Sequence, residues 1–181
     1  FNLLAMATNS PALRIVDIEK PLELRVYEGH TDILNAVDVS TDGKWIATAS
    51  KDNEARLWRW NGELQDFEPF ARFQGHAGAI TAISLSKSQN EPKFLITGSS
   101  DLTIKKWKIP NTPNSIVKTS EYTRRAHDKD INSIDVSPND EYFATASYDK
   151  LGKVWQTDSG ETIGVLKGHK RGLWDINFYK F

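Results

Sequence analysis

The chain has 181 residues, a formal net charge of −1 and a content of 39% hydrophobic and 10% aromatic residues. That composition supplies a folded core and is unlike that of a disordered chain, and the balanced charge argues against the strongly basic face of an autonomous nucleic-acid-binding protein. The sequence has no cysteine, which excludes disulfides, thiolate metal sites and cysteine nucleophiles, and it has no apolar run long enough to cross a membrane as a helix.

Short runs rich in Val, Ile, Thr and aromatic residues predict β-strands along the whole chain, with turn residues between them. The opening run, residues 4–18, aligns without a gap with residues 46–60. In chain order, the other predicted strands are ILNAVDVS, WIATASKD and ARLWRW (33–60), AITAISLS, FLITGSSD and IKKWKIP (79–110), DINSIDVS, YFATASYD and GKVWQT (130–157), and LWDINFYKF (173–181). The sequence therefore predicts an all-β protein.

The predicted strands belong to a repeat that four histidines mark. His30, His76, His127 and His169 are separated by 46, 51 and 42 residues, and the first three are each followed by the same order of strands. A period of this length is typical of repeat architectures in which every repeat is one supersecondary unit.

Part of each repeat has rigid spacing. Thr48, Thr97 and Thr145 each precede an aspartate by four residues, and that aspartate precedes a tryptophan by six. The rigid part predicts a tight turn between two paired strands. The distance from histidine to threonine varies between 18 and 21 residues, which indicates loops that tolerate insertions.

These features resemble the WD-repeat family of β-propellers over the whole chain. The matching elements are the Gly-His pairs at 29–30, 75–76 and 168–169 and the recurring Thr-x3-Asp-x5-Trp pattern, although the closing Trp-Asp dipeptide is absent and Ala126 precedes His127. The resemblance implies a hydrogen-bonded tetrad in each repeat, which would give a buried carboxylate and a buried indole N–H the partners they need. The implied tetrads are His30/Thr48/Asp52/Trp58, His76/Thr97/Asp101/Trp107 and His127/Thr145/Asp149/Trp155.

The resemblance also implies about four blades' worth of four-stranded antiparallel sheets, as an excerpt of a larger propeller. Residues 1–28 are expected to form a degenerate partial blade, in which Met6, Ser10 and Val16 replace the Thr, Asp and Trp of the tetrad. The other expected units are the complete repeats 29–74, 75–125 and 126–167 and the first strand of a further repeat, 168–181. Two chains forming one ring, and one chain closing on itself, remain as alternatives.

The recurring His, Asp and Thr residues are also the side chain types of a hydrolytic triad. An enzyme needs one such site, whereas the set recurs in three repeats, and the repeat uses all four histidines. The phosphate-binding patterns G-x-x-x-x-G-K-[ST] and G-x-G-x-x-G are absent from the sequence. We therefore expect a non-enzymatic protein with no catalytic residue, no metal ligand and no cofactor.

The resemblance places partner binding on the narrower face of the propeller, at two positions of each innermost strand and at the residue before the tetrad Asp. The candidate partner-binding residues are Ile33, Asn35, Lys51, Thr81, Ser100, Asp130, Asn132, Tyr148 and Trp174. Lys167, Lys170 and Arg171 have no acidic neighbour in sequence before Asp175, and they are the candidate contact for RNA or an acidic partner. Residues 110–121 are predicted as a surface loop, or as a docking loop on the outer rim.

Two short stretches, HDKDINS (127–133) and GHKRGLW (168–174), narrow the function. They resemble the WD-repeat subunits of the small-subunit processome. That resemblance implies a non-catalytic scaffold in nucleolar pre-ribosomal RNA processing, with other protein subunits of a large ribonucleoprotein assembly as partners. It also implies no membrane or small-molecule partner, and RNA contact that is indirect or peripheral. A generic WD-repeat adaptor, such as a ubiquitin-ligase substrate receptor, is the alternative.

Overall fold

The protein is all-β, as the sequence predicts. The computed structural model describes residues 2–179, which form sixteen strands in four sheets. Within these residues no helix is long and apolar enough to cross a membrane.

The four sheets are named blades 1 to 4 in chain order. Blade 1 contains β1 (Leu3–Met6), β2 (Leu13–Asp17) and β3 (Lys20–Tyr27). Blade 2 contains β4 (Leu34–Val39), β5 (Trp45–Ser50), β6 (Glu54–Asn61), β7 (Asp66–Gln74) and, from further along the chain, β11 (Ser115–Val117). Blade 3 contains β8 (Ile80–Leu85), β9 (Phe94–Ser99), β10 (Thr103–Lys108) and β12 (Tyr122–Arg125). Blade 4 contains β13 (Ile131–Val136), β14 (Tyr142–Ser147), β15 (Gly152–Gln156) and β16 (Thr162–Leu166).

The turn between the second and third strands of blades 2, 3 and 4 has a left-handed residue directly after the tetrad aspartate. The φ angles are 69° at Asn53, 71° at Leu102 and 77° at Lys150. Blade 1 has Pro11 at the corresponding position, and the proline ring holds φ at about −65°. The turn of blade 1 therefore follows a different path, which its own sequence dictates.

The hydrophobic core lies between the faces of neighbouring blades. The second strands of blades 2 and 3, β5 and β9, are buried at every residue. The contacts between blades 1 and 2 include Leu13, Ile15, Ile46 and Trp58; those between blades 2 and 3 include Leu57, Phe73, Leu85 and Leu95; and those between blades 3 and 4 include Ile96, Ile104, Ile134 and Phe143. This face-to-face stacking of consecutive sheets is the arrangement of a propeller.

The segment 110–121 is not wholly a loop. Its residues 115–117 form β11, which leaves blade 3 and pairs in parallel with β7 at the outer edge of blade 2, with Ser115 opposite Ala71 and Val117 opposite Phe73. Blade 2 therefore has five strands, and residues 115–117 are bound to the outer strand of blade 2 rather than free at the surface. The sequence does not predict the pairing because β11 is short and its partner lies about forty residues away.

Residues 173–179 do not form the predicted strand, and residues 180–181 of that prediction lie outside the described residues. A strand requires backbone pairing along its length, and no second strand of a fifth sheet lies among residues 2–179 to pair with it. The segment also does not pair with β1. The described part of the chain is therefore not closed on itself.

Candidate functional site

The structure brings together the four side chains of each implied tetrad. In blade 2, His30 Nδ1 lies 2.8 Å from Asp52 Oδ2, His30 Nε2 lies 2.9 Å from Thr48 Oγ1, and Trp58 Nε1 donates to Thr48 Oγ1 at 3.1 Å. Each set joins the loop before the first strand to the second and third strands of one blade.

Blades 3 and 4 repeat these contacts at nearly the same distances. The histidine–aspartate contact measures 2.8 Å in blade 3 and 2.9 Å in blade 4, and the histidine–threonine contact measures 2.7 Å in both. The indole N–H of Trp107 donates to Thr97 at 2.9 Å, and that of Trp155 donates to Thr145 at 2.9 Å. All three implied tetrads are therefore formed.

The tryptophans of the tetrads are core residues as well as hydrogen-bond donors. Trp107 is 1% exposed and packs in the cluster between blades 2 and 3, with its ring centroid 5.8 Å from that of Phe73. Trp155 is 3% exposed and stacks on Phe143 in the cluster between blades 3 and 4, with centroids 5.9 Å apart. Since each indole has one N–H on a large apolar ring, burial between blades satisfies both parts. Neither side chain is accessible to a ligand.

The hydrogen-bond roles within the blade 2 tetrad follow from the donors available. Trp58 can only donate, so the hydroxyl of Thr48 accepts from it and gives its own hydrogen to Nε2 of His30. His30 is then protonated at Nδ1 and donates to Asp52. Burial raises the pKa of Asp52, but the hydrogen bonds from His30 and from the Thr31 N–H outweigh it and bring the pKa to about 2. The lowered pKa keeps Asp52 ionised at neutral pH as the acceptor of these hydrogen bonds.

The other tetrads show the same balance. Burial opposes ionisation of Asp101, and hydrogen bonds from His76 and Thr103 lower its pKa below the usual range. For Asp149, burial is outweighed by the Asp128 and Leu151 N–H groups and by His127, so its pKa is also lowered. Each tetrad is assigned a structural role by its burial, because its polar atoms are occupied by one another rather than directed to a ligand.

One serine in each complete repeat completes the tetrad turn, and the sequence reasoning missed it. Ser50 Oγ accepts the N–H of Asp52 at 3.1 Å and donates to the carbonyl of Ile33 at 2.9 Å. Ser99 and Ser147 likewise accept the N–H groups of Asp101 and Asp149. Their hydroxyls donate to the carbonyls of Gly78 and Lys129, which correspond to Asp32, a second carbonyl within reach of Ser50 at 2.9 Å. The available signal was the recurring Thr-x-Ser at residues 48–50, 97–99 and 145–147.

The degenerate positions of blade 1 lie in its first two strands and the turn between them. Met6 is opposite Arg14 in the β1–β2 pair, and Val16 is opposite Leu4. Ser10 still serves the turn, because its Oγ accepts the N–H of Ala12 at 3.3 Å, as the carboxylate of Asp52 accepts the N–H of Glu54. Of the three substituted positions, only Ser10 therefore keeps the turn contact. Met6 and Val16 have no hydroxyl or N–H group in the side chain with which to form a tetrad.

Three of the nine candidate partner-binding residues hold neighbouring blades together. Asn35 Nδ2 donates to the carbonyl of Ile80 at 2.8 Å, the hydroxyl of Thr81 donates to the carbonyl of Ile131, and Asn132 Nδ2 donates to the carbonyl of Leu173 at 2.6 Å. Each bond reaches the first residue of the next innermost segment and so links consecutive innermost segments. Asn35 is nevertheless exposed and Thr81 and Asn132 are half-buried, so the role of these residues in partner binding stays a prediction.

A second inter-blade bond lies three residues further along each innermost strand, and the sequence reasoning missed it as well. Asp38 accepts the N–H of Leu85 at 2.7 Å, and Asp135 accepts the N–H of Phe178 at 2.7 Å. In blade 3 the corresponding residue is a serine, whose Oγ accepts the N–H of Val136 at 3.3 Å. The signal was a small polar residue eight positions after each of the first three histidines.

Lys87 crosses the space between blades 2 and 4. Its Nζ lies 3.2 Å from Asp38 Oδ2 and 3.4 Å from Asp135 Oδ1. The two carboxylates thus serve both a backbone N–H of the next blade and a shared ammonium group. Among residues 2–179 no cluster of acidic and histidine side chains could hold a metal ion.

The other six candidate partner-binding residues lie at or near the surface. Lys51, Asp130, Tyr148 and Trp174 are exposed, and Ile33 and Ser100 are half-buried. Tyr148 and Trp174 contact each other, with ring centroids 5.9 Å apart. The basic residues Lys167, Lys170 and Arg171 are exposed too, as is His169, whose repeat forms no tetrad within the described residues.

The recurring tetrads and stacked sheets agree with the comparison of this sequence with known families. The sequence matches the family described as "WD domain, G-beta repeat" over residues 22–59, 67–108 and 118–156. The chain belongs to the WD-repeat family. Each WD match begins in, or a few residues before, the last strand of one blade and ends within or at the end of the third strand of the next blade. The matches and the blades therefore have different boundaries.

Individual relatives are similar over nearly the whole chain. U3 small nucleolar RNA-associated protein 13 of Saccharomyces cerevisiae is 52% identical in an alignment 190 residues long, which covers 97% of this chain and 23% of that protein. Transducin beta-like protein 3 of Mus musculus is 36% identical, with 97% of this chain and 22% of that protein covered. A ribosome biogenesis protein WDR12 homolog of Drosophila mojavensis is 31% identical, with 80% of this chain and 36% of that protein covered. The chain spans less than a quarter of the length of the first two relatives.

Proposed function

We propose that this protein is a non-catalytic interaction scaffold in ribosome biogenesis and, more specifically, a subunit of the small-subunit processome that acts in pre-ribosomal RNA processing. The observation that carries the proposal is the 52% identity to U3 small nucleolar RNA-associated protein 13 over 97% of the chain. The name of the WDR12 homolog also refers to ribosome biogenesis. The partners proposed are other protein subunits of a large ribonucleoprotein assembly, and the proposed location is the nucleolus.

The structure supports a scaffold because the clustered polar side chains of the tetrads are hydrogen-bonded to one another. The three tetrad histidines are buried and bonded on both ring nitrogens, so none of them has a ring nitrogen available to take a proton from a substrate. A stiff stack of blades presents several fixed surfaces at once. Binding partners through several surfaces raises the effective concentration of each contact, so assembly does not depend on one very tight interface.

Depletion of the protein followed by RNA analysis tests this function. We expect loss of the small-subunit ribosomal RNA with the large-subunit RNA spared, and restoration when the wild-type protein is supplied again. Normal small-subunit RNA together with a location outside the nucleolus would contradict the proposal. Co-purification with cullin adaptors instead of box C/D RNA would favour the generic adaptor.

A further inference from the structure

The loop that precedes each innermost strand differs strongly in charge between repeats. Each loop is defined as the repeat histidine with the two residues before it and the three residues after it, which gives 28–33, 74–79, 125–130 and 167–172. The four loops are structurally equivalent because the inter-blade hydrogen bonds set the register of the segments that follow them. The first loop contains two acidic side chains, Glu28 and Asp32, and no basic one. The fourth contains Lys167, Lys170 and Arg171 and no acidic one. Positive charge is thus concentrated at one end of this row of loops.

Two exposed aromatic side chains lie beside the fourth loop. Tyr148 is 49% exposed and Trp174 is 73% exposed. Their rings meet at an interplanar angle of 81°, with centroids 5.9 Å apart. Lys129 places its Nζ 5.5 Å from the Tyr148 ring centroid. In blades 2 and 3 the residues equivalent to Tyr148 are Lys51 and Ser100, so blade geometry does not require an aromatic residue there.

The aromatic pair is held in place by the backbone. The N–H of Leu173 donates to the carbonyl of Ser147 at 3.0 Å, and the carbonyl of Leu173 accepts from Asn132 at 2.6 Å. Gly172 lies directly against Tyr148, because a Cβ added to this glycine would be 2.8 Å from Tyr148 Cδ2. Lys170 and Arg171 directly precede Gly172 in the chain, so their backbone lies close to the contact between Gly172 and Tyr148.

The acidic side chains around this surface are largely committed to other groups. Asp149 is bonded to His127 in the tetrad, and Asp175 accepts hydrogen bonds from Ser133 and Asn177. Asp128 pairs with Arg125 at 3.3 Å. Asp130 is exposed and faces solvent near Lys129. Within residues 2–179, Lys129, Lys170 and Arg171 form no ion pair, so their charge is available to a ligand.

We propose that Tyr148, Trp174, Lys129, Lys170 and Arg171 form a binding surface for single-stranded RNA, named here the aromatic–basic surface. Single-stranded nucleic acid combines exposed base faces, which stack on aromatic side chains, with a phosphate chain that binds Lys and Arg. Both chemistries are adjacent here, because Lys129 lies over the Tyr148 ring and Lys170 and Arg171 belong to the loop that meets Tyr148 at Gly172. The choice of RNA rests on the proposed function, whereas the stacking and charge requirements rest on the geometry alone. An acidic peptide would use the cations but not the ring faces.

Binding of the full-length protein to a fluorescent oligouridylate of about 12 nucleotides tests the surface. We expect Trp174→Ala to weaken binding about tenfold, because one stacked base is lost. Trp174→Phe retains an aromatic ring and should recover most of that loss. The double variant Lys170→Ala/Arg171→Ala should reduce the slope of log affinity against log salt concentration by about 1.4, for two phosphate contacts on a single strand.

Matched controls lie at the other end of the strands. Tyr142 is exposed at the start of β14, whereas Tyr148 follows the end of that strand, and Lys108 is exposed at the end of β10. Tyr142→Ala and Lys108→Ala should bind oligouridylate like the wild type. The unfolding midpoint of Trp174→Ala is measured alongside, so that a loss of RNA affinity is interpreted only for a folded variant.

Two results would overturn the inference. One is unchanged RNA affinity in Trp174→Ala. The other is displacement of RNA by polyglutamate with equal competition in the wild type and Trp174→Ala, which identifies a surface for acidic proteins. In either case a depletion phenotype in small-subunit RNA would leave the proposed function standing, so failure of one is distinguishable from failure of the other.

Discussion

Each tetrad aspartate collects hydrogen bonds from several parts of its blade. Asp101 accepts from the ring of His76, from the N–H of Ala77 and from both the N–H and the hydroxyl of Thr103. Its own N–H donates to Ser99. A single short side chain thereby joins the loop before the first strand to the turn between the second and third. At the scale of the residue, the repeat is defined by this convergence of donors.

Replacing Asp101 with alanine tests that role. Asp101→Ala leaves the Nδ1–H of His76 and nearby backbone donors without an acceptor, so we expect the free energy of unfolding to fall by about 1–3 kcal/mol. Asp130→Ala is the control, because Asp130 is exposed and forms no ion pair within residues 2–179, and a surface change of this kind costs about 0.5 kcal/mol or less. Chemical unfolding of both variants measures the difference. Equal midpoints for Asp101→Ala and the wild type would contradict the tetrad as a source of stability.

The acid dependence of stability follows from the lowered pKa of Asp52. Its pKa falls from 3.8 to about 2 on folding, so the unfolded chain binds a proton at a higher pH than the native protein does. The stability that Asp52 contributes is complete above about pH 5 and is lost progressively as the pH falls through 3.8 towards 2. Asp52→Asn cannot ionise. We expect its stability deficit relative to the wild type, measured by thermal unfolding at several pH values, to shrink over this interval, whereas a constant deficit would exclude the linkage.

At the scale of the element, the strand edges decide where the chain departs from a simple series of four-stranded blades. β11 covers the outer edge of β7, which would otherwise present unpaired N–H and carbonyl groups. Val117 of β11 packs against the hydrophobic cluster between blades 2 and 3. Ile116, the residue before it, is 53% exposed. The alternation of buried and exposed side chains anchors even this short strand.

The pair Val117→Asp and Ile116→Asp tests the anchoring of β11. A carboxylate at position 117 must leave the apolar contact or lose its hydration, so we expect β11 to detach from β7. Amide hydrogen exchange should then accelerate at residues 115–117 and at the facing residues 71–73, with little change in the global unfolding midpoint. Ile116→Asp introduces the same charge at a solvent-facing position and should leave exchange nearly unchanged. Identical exchange in the two variants would show that Val117 does not hold the strand.

At the scale of the whole molecule, the interface between blades 1 and 2 differs from the other two. Val39 is 41% exposed, whereas the equivalent residues Leu85 and Val136 are 0% and 1% exposed. A cavity of about 320 Å³ lies beside it and is lined by residues such as Leu3 and Ile46. The difference arises because blade 1 has no strand inside β1 among the described residues, so the side chain of Val39 has nothing to pack against on that side.

The sequence by itself determined the repeat, the all-β class and the members of the tetrads, because these depend on local periodicity. The spacing of four residues from Thr48 to Asp52 and of six to Trp58 places those side chains on paired strands of one sheet, wherever that sheet lies. The first two strands of blade 1 also follow from the alignment of residues 4–18 with residues 46–60. Errors at this level concern residues such as Ser50, whose contribution depends on a carbonyl in the loop before β4.

Only the tertiary structure decided which surfaces meet. The pairing of β11 with β7, the bonds from Asn35 and Asn132 to the next blade, the packing of Trp107 and Trp155 between blades, and the contact of Tyr148 with Trp174 all join residues that are distant in sequence. Local patterns hold no information about such contacts, because they depend on how one sheet is stacked on another. Residues 173–179 illustrate the limit: their sequence suits a strand, but a strand forms only where a partner's backbone lies alongside.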